Sequence, residues 1–420
     1  MMRVISVSSH DYEGGASRAA HRLHAALRTA SVDSTMLVGE KRSMDRDVVG
    51  PFGKLAKGMS LLRPELDRLP LLLFPRKSYG AWSLSWFPHH LEKLISPMQP
   101  DLVHLHWVGF GFLPLRELRR LRVPVVWTMH DMWPFTGGCH YSGSCTRYEQ
   151  DCGSCPQLNS PLRHDLSSWV HGRKVRLWRN VPLTIISPSH WLAGCARSSS
   201  LFSKVRVEVI PNAIDTTVYK PLDKRVAREI LNLPRDGKII MFAAIDGRDE
   251  ERKGYRHLRN ALEILCADFE TNNTSLLVAG VGEPKENEFP LTARYLGRVH
   301  DDVTMAAAYS AADVFVSAST EENLSNSVME AMACGTPSVS FHLGGFPDLI
   351  TDRLTGYLAT PFSPSDLARG IAWVLDDSAR RESLSRAARE KVVRSFDAPL
   401  IADRYSALYS EIIDRPGSRE

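Results

Sequence analysis

The chain of 420 residues has no long apolar run. The longest, "LPLLLFP" from Leu69 to Pro75, falls far short of the ~20 residues a bilayer-spanning helix needs. The opening "MMRVISVSSH" reads as a strand and lacks an apolar secretory core, so a cytoplasmic protein is expected. Charge of one sign is not in excess. The net value of +4 is mildly basic, and no nucleic-acid partner is expected from it. No internal repeat and no low-complexity tract is present. Cysteine is scarce, at seven residues, four of them within Cys139–Cys155. In a cytoplasmic chain such residues are thiols or metal ligands more often than disulfides.

What is present is the composition of a soluble globular protein, 43% hydrophobic and 24% charged, with length for two domains. Short apolar runs alternate with amphipathic segments. "RVISVSS" (3–9), "DLVHLHW" (101–107), "PVVWTMH" (124–130) and "LTIISPS" (183–189) read as buried parallel strands, because they are apolar on both faces. "SRAAHRLHAALRTA" (17–30) has helical spacing and reads as a crossover helix. A second series follows: "KIIMFAAI" (238–245), "TSLLVAGVG" (274–282), "ADVFVSAS" (312–319) and "TPSVSFH" (336–342), with a helix over 254–269. Two such series predict an α/β protein of two Rossmann-like, doubly wound domains. The expected bounds are 1–213 and 214–396, with a C-terminal helix at about 397–414 returning to the first domain. A cleft at the carboxyl ends of the strands is the default ligand site.

The stretch "EENLSNSVMEAMACG", Glu321 to Gly335, places Glu322 and Glu330 on either side of a helix start. The plain reading is a capping box between Ser327 and Glu330, closing at Gly335. That leaves Glu322 unexplained. The sharper reading is a ligand lying across the helix N-terminus, where N–H groups and the dipole favour an anion. Carboxylates to either side would hold hydroxyls at the two ends of that ligand. A nucleotide-sugar has this chemistry.

With these residues in view, the chain resembles the retaining glycosyltransferases of family 4, which have the GT-B fold of two Rossmann-like domains facing a cleft. The resemblance is strongest from Ile210 to Gly356. It rests on Glu322 and Glu330 before "AMACGTP", and on the turn Gly344-Gly345-Phe346-Pro347-Asp348. It also rests on Pro211-Asn212-Ala213-Ile214-Asp215 (Ala where the family usually has Gly), Arg248 with Lys253-Gly254, Gly14-Gly15 and His130. "TMHDMWPFTGGCHYSGSC" and "CGSCPQL" further resemble bacterial enzymes of exopolysaccharide or colanic-acid-type surface glycans.

The resemblance implies the following roles. Glu330 accepts from the ribose hydroxyls, and Glu322 takes hydroxyls of the transferred sugar. The backbone around Leu324, Ser325 and Asn326 faces the diphosphate. Lys253 and Arg248, or the adjacent Arg252, neutralise the leaving diphosphate. The alternative for these basic residues is a solvated loop, since "GRDEERKG" mixes signs. His130 positions the sugar; the alternative is a core histidine. Gly14 and Gly15 allow close backbone approach, or form an ordinary turn. His104 and His106 are read as packing. No Asp-x-Asp stands at a strand end, and the basic pair would supply the charge that a metal supplies elsewhere, so no catalytic metal is expected. The activity implied is transfer from a nucleotide-sugar to a glycan or lipid-linked acceptor in surface polysaccharide synthesis. A nucleotide-sugar epimerase of the same fold, or a non-catalytic glycan-binding module, are the alternatives.

Two segments carry expectations of their own. "GKLAKGMSLLR" sets Leu55, Met59 and Leu62 at helical spacing near Lys54, Lys57 and Arg63, with Arg76 and Lys77 beyond. A basic amphipathic segment of this kind suits the inner face of a membrane; the alternative is a folded insertion. Cys139, Cys145, Cys152 and Cys155 have the spacing C-x5-C-x6-C-x2-C, which suits a structural zinc. Disulfides, free thiols or an iron–sulfur cluster are the other readings.

Overall fold

The computed structural model describes residues 1–74, 80–243, 250–284, 286 and 288–415. The chain divides into two compact units, Met1–Ala213 with Pro399–Glu420, and Ile214–Ala398.

The first unit is built on β1 (Arg3–His10), β2 (Asp33–Glu40), β3 (Val48–Val49), β4 (Leu102–Leu105), β5 (Val125–Thr128), β6 (Leu183–Ser187) and β7 (Arg206–Val209). All pair in parallel, in the order β3-β2-β1-β4-β5-β6-β7. Strands β4 and β5 are buried along their whole length, which is why their sequences run apolar without alternation. The helix Gly14–Thr29 lays Ala19, Ala20, Leu23 and Leu27 against the sheet. Trp127, Trp133 and Trp178 meet edge-on or tilted in the core. The last helix, Ala398–Ile413, is tied to the sheet by Tyr409 Oη with His104 Nδ1 at 2.6 Å and Tyr405 Oη with Thr128 Oγ1 at 2.9 Å.

The second unit holds β8 (Lys238–Ala243), β9 (Thr274–Ala279), β10 (Thr292–Gly297), β11 (Val314–Ser317), β12 (Ser338–Phe341) and β13 (Gly356–Ala359). These are parallel too, in the order β10-β9-β8-β11-β12-β13. Its core joins Ile239, Met241, Leu277 and Phe315 to helix residues Val328, Met329 and Met332. Each fully buried Val, Leu or Met contributes about 1.5–3 kcal/mol against the entropy of ordering it.

In both units the strand order reverses once, between β1 and β4 and between β8 and β11. At such a reversal the connections leave in opposite directions and open a crevice at the carboxyl ends of the strands.

Among the described residues, no helix is long and apolar enough to cross a membrane. The helix Gly53–Arg68 is inverted relative to the usual pattern. Its buried residues are Arg63 and Asp67, while Leu55 and Leu62 are 89% and 56% exposed. Asp67 accepts from the Leu84 N–H at 2.9 Å, Arg63 donates to the Pro88 carbonyl at 3.1 Å, and Ser60 to that of Gly39 at 2.6 Å. Polar groups therefore anchor this helix and its apolar side chains face outward. Arg76 and Lys77 lie outside the described residues.

Candidate functional site

In the second unit the chain leaves β11, turns through 318–324 and enters the helix Asn326–Ala333. Ser325 is the N-cap, its Oγ accepting from the Val328 N–H at 3.4 Å. This corrects the capping box expected from Ser327 and Glu330: Ser327 Oγ bonds Ser325 Oγ at 3.0 Å, and Glu330 turns elsewhere. Glu330 Oε2 accepts from Tyr309 Oη at 2.9 Å. Burial, with Glu330 beside it, pushes the Tyr309 phenol well above its ordinary range, so it stays protonated and donates. Leu324 and Ser325 are buried just before the helix, and Asn326 is its first residue. Gly335 follows the helix with φ +76, the left-handed closing residue expected from the sequence.

Glu322 is buried in that turn and faces two cations. Lys253 Nζ lies 3.1 Å and Arg252 Nη1 3.4 Å from its Oε2. Arg252 also donates to the Glu321 carbonyl at 2.9 Å and to Glu250 Oε1 at 2.6 Å. Burial pushes the Glu322 carboxyl up, but Lys253 and Arg252 outweigh burial and hold it below the usual carboxylate range. The two basic side chains keep 25% and 20% exposure, enough to meet a ligand. Arg248 lies outside the described residues; among the described ones, the arginine that joins Lys253 at Glu322 is Arg252.

Two glycines set this geometry. Gly254 has φ +70, and a Cβ there would stand 1.8 Å from the Ala318 carbonyl oxygen. The Lys253 turn can therefore press directly on the end of β11. Gly344 has φ +56, and its Cβ would stand 2.2 Å from the Glu322 carbonyl oxygen, which accepts from the Gly345 N–H at 3.0 Å. Sequence spacing shows these glycines without showing which backbone they approach.

In the first unit His130 stands two residues past β5, half-buried, with Nε2 at 3.2 Å from His106 Nδ1. Burial lowers its pKa to about 4 against the opposing pull of Asp131. Asp131 accepts from Trp107 Nε1 at 2.7 Å, His140 Nδ1 at 2.6 Å and the Trp133 N–H at 2.9 Å. The His106 contact is not evident from the sequence; the H-x-H alternation on β4, facing a His at the end of the neighbouring strand, is the available signal. Gly14 opens its helix with φ +80, and a Cβ there would meet no atom within 4 Å; Gly15 beside it is exposed. Among the described residues, His10, Glu13 and Glu40 bring ligand atoms within metal-binding reach, but Arg42 already pairs with both carboxylates, at 2.9 and 2.8 Å. Cys139, Cys145, Cys152 and Cys155 line one small cavity of about 20 Å³. A larger open cavity of about 840 Å³, near His164, Trp169, Arg176 and Arg179, holds none of the residues singled out above.

The fold is that of the GT-B glycosyltransferases. Comparison with known proteins agrees. The family model of Glycosyltransferase Family 4 matches residues 13–218, and that of glycosyl transferases group 1 matches 223–391. A D-inositol 3-phosphate glycosyltransferase of Catenulispora acidiphila is 32% identical over 48% of this chain and 50% of its own length. One from Acidothermus cellulolyticus is 26% identical over 69% of this chain and 63% of its own. The chain spans about half the length of most of the curated relatives it matches. Among solved structures, sucrose-phosphate synthase of Thermosynechococcus elongatus superposes with TM-score 0.70 at 18% identity, covering 98% of this chain and 99% of its own. Anabaena HepE, crystallised with UDP and glucose, gives 0.67 at 16%, covering 98% and 100%. At these identities the structures speak for the fold.

Proposed function

We propose that the chain transfers a sugar from a nucleotide-sugar to a lipid-linked glycan acceptor in bacterial surface polysaccharide synthesis, with retention of anomeric configuration and without a divalent metal. The observation that carries this reading is the Lys253–Arg252–Glu322 cluster at the strand-order reversal, one turn ahead of Glu330 on a helix whose N-terminus favours an anion.

In the proposed reaction the acceptor hydroxyl oxygen bonds to the sugar C1 as the C1–O bond to the diphosphate breaks. The hydroxyl proton passes to the departing diphosphate oxygen, so no separate base is needed. Lys253 and Arg252, joined by Arg248, meet the charge growing on that oxygen; one such donor is worth about 10²–10³ in rate. Glu322 keeps the cations aimed and accepts from sugar hydroxyls. Glu330 accepts from the ribose, and the backbone at Leu324, Ser325 and Asn326 lies along the diphosphate. His130 positions the sugar, and Gly14 and Gly15 admit the acceptor or phosphate closely.

The lipid-linked acceptor is supported by the inverted helix Gly53–Arg68. Phe52, Leu55, Leu61, Leu72 and Leu73 are exposed around Lys54 and Lys57. Apolar side chains rimmed by cations suit an anionic membrane surface. Co-sedimentation with anionic liposomes, weakened in Leu55→Glu/Leu72→Glu, is the expected result; unchanged pelleting would remove the membrane from the account.

The function itself is tested by incubation with labelled UDP-sugars, with lipid extract or D-inositol 3-phosphate as acceptor. A labelled lipid product, formed equally in EDTA, supports the reading. Labelled inositol phosphate would move the acceptor to a soluble polyol. Epimerised free donor, or binding without chemistry, would replace transferase by the alternatives.

A further inference from the structure

The loop 139–155 is wound more tightly than its sequence requires for packing alone. Cys152, Gly153 and Ser154 have φ of 56, 91 and 40 in succession, and Gly143 has 58. Left-handed backbone at two non-glycine residues costs about 1–2 kcal/mol each, so other contacts must hold it. They do. The Cys155 N–H donates to Asp165 Oδ2 at 2.8 Å, the Gly153 N–H to Ser167 Oγ at 2.9 Å, and the Ser154 N–H to the Leu162 carbonyl at 2.8 Å. Asp165 is also the N-cap of the helix Leu166–Trp178. A Cβ on Gly153 would stand 2.0 Å from the Arg163 carbonyl oxygen.

This winding points sulfur inward. All four cysteines line the same cavity of about 20 Å³, room for one ion or one water. Backbone N–H groups are aimed at the sulfurs: that of Gly137 at Cys152, and those of Gln157 and Leu158 at Cys155. Burial outweighs these N–H groups and pushes both thiols above their ordinary range, so an entering ion must displace the protons, while the N–H groups stand ready to donate to the thiolates that result.

A second observation is independent of the cysteines. Lys174 is fully buried. Its Nζ donates to the carbonyls of Trp133 and Thr136 and sits 4.2 Å from the Trp133 ring centroid. No carboxylate pairs with it among the described residues. Burial alone disfavours its charged form, so an ammonium here calls for negative charge nearby. Its titratable neighbours are Cys139, Cys152 and Asp131, and Asp131 is already committed to His140 and Trp107.

We propose that Cys139, Cys145, Cys152 and Cys155 bind one zinc ion as four thiolates, a structural site tying the 139–155 loop and the start of the helix Leu166–Trp178 to the sheet. Four thiol protons leave as Zn²⁺ enters, and the centre carries two negative charges, one of them offset by Lys174. Tetrahedral sulfur ligation at about 2.3 Å sets the sulfurs about 3.8 Å apart. As the side chains stand, no three of them lie within 4.8 Å of one another, so binding draws them in around the cavity. The loop also packs on a small apolar cluster of Leu71, Trp82, Leu84, Leu158 and Val170, more core than its polar sequence suggested. The ion therefore braces a cluster too small to hold the loop by itself.

Metal analysis of the full chain, purified reduced and without added zinc, is the test. About one zinc per chain is expected. Exchange for cobalt should give the intense visible absorption of tetrahedral thiolate coordination. Cys152→Ser should lose the metal and unfold at a lower temperature, while Cys266→Ser keeps both. The cobalt spectrum of the unaltered chain decides the matter if Cys152→Ser does not fold. Metal-free protein with four titratable thiols and no zinc uptake, disulfides by mass, or iron with labile sulfide would each overturn the proposal.

Discussion

The two units share one architecture and hold their polar groups in opposite ways. At the strand-order reversal of the second unit, a buried carboxylate is met by two cationic side chains. In the first unit the groups near the ends of β4 and β5 are rings gathered beside one carboxylate, Asp131. His106 bonds His130, and His104 bonds Tyr409 and Thr128. Burial lowers His104 to about 3 and His130 to about 4, so these rings are neutral near pH 7. Twelve of the fifteen histidines fall within 1–213. The same fold thus sets paired charges where an anionic diphosphate would be held, and mainly neutral, ring-to-ring hydrogen bonds at the ends of β4 and β5.

The comparison breaks most visibly at Lys253. Lys253→Ala should lower turnover about 100- to 1000-fold, with thermal stability changed little because the residue is partly exposed. Near-normal transfer would remove the diphosphate role. Glycines give the next effect. Gly254→Ala and Gly344→Ala force a Cβ onto a backbone carbonyl and should destabilise by about 2–4 kcal/mol in urea unfolding. Gly14→Ala has the same hand of backbone with open space and should cost only about 1 kcal/mol.

The two acids should separate. Glu330→Ala should weaken nucleotide binding about 10- to 100-fold by calorimetry, the loss of one or two hydrogen bonds to a charged group. Glu322→Ala should mainly reduce turnover or change sugar choice. Equal loss of stability with unchanged donor binding in Glu330→Ala would return that residue to a packing role.

The smallest effect is in pH. A buried histidine whose folded pKa lies below 6.5 leaves the unfolded chain binding more protons between the two values. Stability is then full above pH 6.5 and falls as pH drops toward 4. Glu322, held below its usual value of 4.5, stabilises above that pH and loses its contribution only as pH falls further. Hydrogen exchange should therefore show β4 and β5 loosening at a higher pH than β8 and β11. Simultaneous loosening would contradict the assignment.

Much of this was legible in the sequence. Strands buried on both faces announce themselves, as "DLVHLHW" and "ADVFVSAS" do. Other strands did not: β2, interior to its sheet, opens on polar residues, β10 is half-exposed, and "RVEV" in β7 alternates too briefly to stand out. The acids, the lysine and the glycines were visible because their spacing is local. Their partners were not. Tyr309 lies 21 residues from Glu330 and His106 lies 24 from His130, and only the folded sheet joins them. The helix Gly53–Arg68 was legible as amphipathic; that its polar side is the anchored one depends on the backbone at 84–88, which no periodicity reveals.

The central claim is that the second unit grips a nucleoside diphosphate sugar between a cation pair and Glu330. Isothermal titration of UDP-sugars, with GDP- and ADP-sugars beside them, into the full chain and into Lys253→Ala and Glu330→Ala tests it directly. The account predicts saturable binding of one nucleotide class, weakened at least about tenfold in Glu330→Ala. No binding across the panel, or equal affinity in all three proteins, would contradict it.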